Sequence, residues 1–245
     1  MTTHAPPWGL GRAQAGRLAL PLLLLLLLLA FAFLATEALA HNVTLGDKGY
    51  IEEVTGPKPL AFLYLGAKHM VTGYDHILFL AGVIFFLHGM KQIGTYVSLF
   101  AIGHSTTMLA GVWFGFGINP YVIDAIIGFS VVYKALDNLG AFPAWFGVQP
   151  DPKAATLIFG FLHGFGLASK ILDYGIAPDG LLVNLISFNI GVEVGQLLAL
   201  AGILMFMRHW RASPAFARQA YTANVVMMSV GFVLMGIQLS GLAFA

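Results

Sequence analysis

Six stretches of this chain, near residues 60–87, 93–114, 121–139, 154–172, 181–207 and 220–244, are long enough and apolar enough to cross a bilayer. A helix needs about 20 mostly apolar residues to span the hydrocarbon core. No water reaches that core, so a helix is the structure that satisfies its own backbone segment by segment. The charge content agrees: 9% of residues are charged, against about 25% in a soluble domain. With 20 Phe in the chain, disorder is excluded as well, because disordered segments are poor in aromatics. A formal net charge of +1 offers no basic face to nucleic acid. The expected fold is all-α: a polytopic transmembrane bundle of six spans occupying residues 59–245, with the lipid bilayer as its partner.

Residues 1–40 read as an export signal. Arg12 and Arg17 precede an apolar run over 18–34, and Ala38-Leu39-Ala40 supplies the small-x-small cleavage pattern. Cleavage there leaves His41 at the mature N-terminus, followed by a short exported segment, 41–58; an uncleaved anchor is the alternative. Lys and Arg mark cytoplasmic loops. Lys91, Lys153, Arg208, Arg211 and Arg218 fall in the first, third and fifth loops, whereas Lys48, Lys58 and Lys68 in the exported part run against the trend. The expected setting is a bacterial inner membrane, with both mature termini on the periplasmic side. Cysteine is absent, which removes disulfide frameworks and thiolate metal sites.

Ionisable side chains at membrane depth are costly, roughly 2.5–3.5 kcal/mol at a helix centre. They are functional-site candidates by default. The first span carries His69, Asp75 and His76. The two histidines are seven apart and share a helical face, and Asp75 is placed to orient a ligand histidine. Gly66 and Gly73 are the points where this long stretch can break. The second span carries His104 and Ser105. The fourth carries His163 between Gly160, Gly164 and Gly166, beside a close-packing small-residue face. The fifth carries Asn189, Glu193 and Gln196 as one stripe, with Gly191 and Gly195 on a second face. The third carries Ser130, Lys134 and Asp137; the last two are spaced for a local ion pair, though Lys134 is expected rather to snorkel to the interface. For each histidine the plain alternative is core packing with one hydrogen bond, and for the stripe it is interhelical bonding alone.

Imidazole and carboxylate without thiolate suit nickel, cobalt, copper or zinc. Ligands on separate helices suit a site that ions pass through, since transport needs binding weak enough to release. The leading reading is a permease for a divalent transition-metal ion, nickel first. His69, His76, His104 and His163 are its candidate ligands, with Asp75 and Glu193 as ligands or their orienters, and Ser105, Ser130, Asp137, Asn189 and Gln196 as supporting polar groups. Two alternatives remain open. One is an intramembrane zinc hydrolase, with Ser105 or Ser130 assisting and Asp75 or Glu193 as base. The other is a metal-binding accessory protein that does not transport.

These residues resemble the signature of the HupE/UreJ family of small membrane proteins. Gly66-x-x-His69 followed by Gly73-Tyr74-Asp75-His76 looks like its first motif, and His104-Ser105-Thr106-Thr107 like its second. Ser130 with Asp137-Asn138-Leu139 looks like the third, where the family more often carries Glu in place of Asp137. Phe159-Gly160-Phe161-Leu162-His163-Gly164-Phe165-Gly166 matches the fourth, and residues 188–196, from Phe188 to Gln196, the fifth. The resemblance implies a nickel or cobalt permease, accessory to nickel enzymes such as hydrogenase and urease.

Overall fold

The computed structural model describes residues 55–173 and 179–244. The expected export signal and the His41 junction lie outside them. The described residues form helices joined by short turns: α1 (Pro59–Thr72), α2 (Tyr74–Ile84), α3 (Met90–Phe114), α4 (Pro120–Asn138), α5 (Ala141–Phe146), α6 (Pro152–Asp173), α7 (Leu181–Arg211) and α8 (Phe216–Phe244). Four of them, α3, α6, α7 and α8, are long and apolar enough to cross a membrane. α4 has 19 residues but carries Asp124, Lys134 and Asp137. The short α5, in the loop after α4, was not anticipated from the sequence.

The first expected span is broken, and the break falls at Gly73. Its backbone is extended there, at φ −73° and ψ 98°, so it closes α1 and opens α2. A β-carbon on Gly73 would lie 2.9 Å from His76 Nδ1 and 3.0 Å from the His69 carbonyl oxygen. Only glycine lets the two half-helices approach so closely. Gly66 serves packing instead and leaves α1 unbroken.

Three tight helix pairs organise the bundle, and each has glycine on both sides of its seam. In the α1–α7 pair, a β-carbon on Gly66 would stand 2.0 Å from the Phe188 carbonyl oxygen, and one on Gly191 2.0 Å from that of Leu63. In the α3–α6 pair, a β-carbon on Gly103 would stand 2.6 Å from the Leu157 oxygen and one on Gly164 2.2 Å from the His104 oxygen. In the α4–α8 pair, a β-carbon on Gly128 would stand 2.7 Å from Met235 N and one on Gly231 2.9 Å from Val132 N. Small residues let backbones touch, and in lipid that packing replaces the hydrophobic drive between helices.

Polar ties then join the pairs. Asn138 Nδ2 donates to the Gly82 carbonyl and to Asn224 Oδ1, both at 2.9 Å, linking α4, α2 and α8. Thr107 Oγ1 on α3 donates to the Phe161 carbonyl on α6 at 2.7 Å. Lys170 pairs with Asp124 at 2.8 Å between α6 and α4. The Arg211 guanidinium, at the end of α7, donates to the Ile84, Phe85 and Leu87 carbonyls at the end of α2. A cation there meets the negative end of the helix dipole. The outer surface is apolar, with Ile102, Phe129, Ile190, Leu197, Met205 and Phe206 exposed. Continuous apolar exposure of this kind marks a surface built for lipid.

Candidate metal centre

The break at Gly73 puts His69 in the last turn of α1 and Asp75 and His76 in the first turn of α2. His76 becomes a hub. Its ring centroid lies 5.1 Å from that of His69, 6.1 Å from His104 on α3 and 5.1 Å from His163 on α6. Two imidazoles bound to one ion at about 2.1 Å per metal–nitrogen bond hold their centroids roughly 5 Å apart. The spacings of His69 and of His163 from His76 are therefore those of ring pairs able to share an ion, and His104 stands slightly farther from His76. Among the described residues, no three His, Asp or Glu side chains form a ready chelate as they stand.

Hydrogen bonds choose which nitrogens face inward. Asp75 Oδ1 lies 2.9 Å from His76 Nδ1 and also accepts from the His76 backbone N–H at 2.9 Å. A carboxylate only accepts, so His76 Nδ1 carries the proton and Nε2 keeps a lone pair. His163 Nδ1 donates to the Phe159 carbonyl at 2.7 Å, which leaves Nε2 in the same state. His76 Nε2, His163 Nε2 and both ring nitrogens of His104 are buried without a hydrogen-bond partner among the described residues. Leaving a buried polar group unmet costs about 1–3 kcal/mol each. Gathering such nitrogens in one place is costly for a packing core and natural for a cation site. Neutral imidazole with no thiolate nearby is a donor set that fits nickel, cobalt, copper or zinc.

Around the rings lies an aromatic shell that was not among the candidate site residues. Phe100 sits 5.0 Å from His163 and 6.0 Å from His104, and Phe79 sits 5.4 Å from His163. A signal for it existed. Phe100 and Phe159 each precede a histidine by one helical turn, and Phe79 follows His76 by three residues.

The other anticipated residues divide. Glu193 was expected beside the histidines, but it is exposed and outside the cluster. Gly191 and Gly195 take the inward face of α7 against α1, and a residue two along from either points about 160° away. Asn189 is half-buried on the same side as Glu193, and its Oδ1 finds no partner among the described residues. Gln196 is buried and its Nε2 donates to the Val97 carbonyl at 3.4 Å, reaching α3. Ser130 is buried and donates to Ile127 in its own helix. Asp137 is held by Lys134 and by Gln149 Nε2, so it anchors the end of α4. Ser105 is half-buried, and the hydroxyl that joins α3 to α6 is that of Thr107.

No solved structure matches the chain, and no curated protein does. The family described as HupE / UreJ protein matches residues 45–245, from just after the expected signal to the last residue. Apolar helices of spanning length and that match make this an integral membrane protein. With the motif histidines gathered at one depth and the match running through every helix described, the chain belongs to the HupE/UreJ family.

Proposed function

We propose that the chain is a permease for a divalent transition-metal ion, nickel first, with cobalt, copper and zinc in the same donor class. One observation carries the reading: three helices bring His76, His104 and His163 together with buried nitrogens that no described residue satisfies. His69 joins them across the break in the first span. On this reading small ring rotations turn the nitrogens onto the ion, and Asp75 raises the basicity of His76 as a ligand. Broken helices at mid-membrane are a recurrent way of building transport sites, because half-helix ends stabilise ions there. α1 and α2 together count as one crossing, of about 37 Å at 1.5 Å per residue. With α3, α4, α6, α7 and α8 that makes six spans, an inner-membrane protein with both mature ends periplasmic.

The test is uptake of radioactive nickel into sealed vesicles holding the purified full chain. The expected result is uptake by the wild type and its loss in His76→Ala, with both proteins eluting as the same folded species in detergent. Equal uptake by the two would overturn the reading.

A further inference from the structure

The histidine cluster is not sealed evenly. On one side of His76 a narrow cavity runs along α2, past Phe79 and Val83, between α3 and α6. It reaches Tyr96, one turn beyond Phe100 on α3, and Thr156, in the second turn of α6. From His76 to Val83 is seven residues, about 10 Å along the helix. α2 and α7 end at this side of the bundle, and α3 and α6 begin there. The Arg211 bonds to Ile84 and Leu87 fix that end in common. It is also the end where Lys91, Lys153 and Arg218 stand, in the first helical turns beside its loops.

The cavity is lined almost wholly by carbon, with Thr156 and Tyr96 at its far end. Phe79 and Phe100, with ring centroids 5.4 Å apart, stand at the histidine end, and each also contacts His163. Thr156 closes the far end with its hydroxyl donating to the Pro152 carbonyl at 2.7 Å. Tyr96 lines the same end. As it stands the passage has room for about one water molecule. A hydrated divalent ion does not fit it, and a bare one gains nothing from carbon walls. Constrictions of this kind gate by excluding water until they widen.

We propose that this cavity is the closed conduit between the histidine cluster and the basic-loop end, with the Phe79–Phe100 ring pair as its gate. The cargo is a partly hydrated divalent cation, so the inference rests on the permease reading and adds its route and its gate.

The chain has no cysteine, so single cysteines report position without background. Val83→Cys, Val97→Cys and Thr156→Cys are to be treated with a charged, membrane-impermeant thiol reagent from each face of sealed vesicles. Ile102→Cys, on the lipid-facing surface, is the unreactive control. The expected result is modification of all three from the basic-loop face only, with nickel slowing it. Phe79→Ala, or Phe79→Leu should the alanine variant misfold, is expected to speed modification of Val97→Cys by about tenfold or more. If the Val83 and Val97 cysteines stay unmodified from both faces while those variants still take up nickel, the route lies elsewhere. The inference then fails and the permease reading stands. If they are modified and the gate variant speeds the reaction, but the wild type carries no nickel, the passage is real and the permease reading fails.

Discussion

Asp75 decides which nitrogen of His76 faces the other rings. Its carboxylate holds Nδ1, and the lone pair on Nε2 is left toward the cluster. Removing its charge while keeping an oxygen acceptor weakens that bond and loosens the tautomer it fixes. Asp75→Asn is expected to weaken nickel binding about tenfold, within the range of roughly 10–100-fold seen for partners of metal-bound histidines. Competition with a chelating dye measures it. Glu193→Gln gives the contrasting outcome. That side chain is exposed, away from the rings, and its neutralisation is expected to leave nickel affinity within about twofold in the same assay, since removing a charge that does not touch a ligand changes little. The four histidines were legible in the sequence because an imidazole inside an apolar span is too costly to keep without a task. Glu193 was misplaced for a physical reason: its stripe with Asn189 and Gln196 looked inward only while the packing partner of α7 was unknown. Once Gly191 and Gly195 meet α1, the carboxylate has nowhere to point but out.

The glycine seams govern the elements. A β-carbon on Gly164 would meet the backbone oxygen of His104 at 2.2 Å, and backbone cannot step aside as a flexible side chain can. Gly164→Ala is therefore expected to cost about 1–3 kcal/mol, as overpacking commonly does, and to move a ligand helix with it. Gly94 has nothing within 4 Å of its would-be β-carbon. Gly94→Ala is expected to be neutral or to stabilise by roughly 0.5–1 kcal/mol, the usual gain of alanine over glycine inside a helix. Thermal unfolding in detergent separates the two: a lowered midpoint for Gly164→Ala only. The four long apolar helices α3, α6, α7 and α8 were readable from hydropathy, since bilayer thickness demands such lengths, whereas the short α5 was not. The break in the first span was not placed in advance, because Gly66 and Gly73 look alike in one dimension. What distinguishes them is contact: Gly66 faces the backbone of α7, and Gly73 faces the two histidine-bearing turns beside it. The Tyr96–Thr156 cavity left no mark in the sequence, because a tyrosine or threonine near a helix end is ordinary.

At the scale of the whole molecule, the question is whether α1 and α2 together make one crossing. If they do, the chain crosses six times and its end returns to the side of its exported start. A phosphatase that is active only after export, fused at the C-terminus, is expected to be active. The same enzyme placed in the 88–89 turn is expected to be silent, as Lys91 beside that turn predicts. An inactive C-terminal fusion would mean an odd number of crossings, with the first pair of helices lying in the bilayer without traversing it.

His69 belongs to the α1–α7 pair, while His104 and His163 belong to the α3–α6 pair, and the two pairs share no glycine seam. A cation gripped by all of these rings would rivet together two bodies that otherwise meet more loosely than either pair meets within itself. Cargo and scaffold are then one mechanical system: loading stiffens the molecule across that joint, and release lets it flex again.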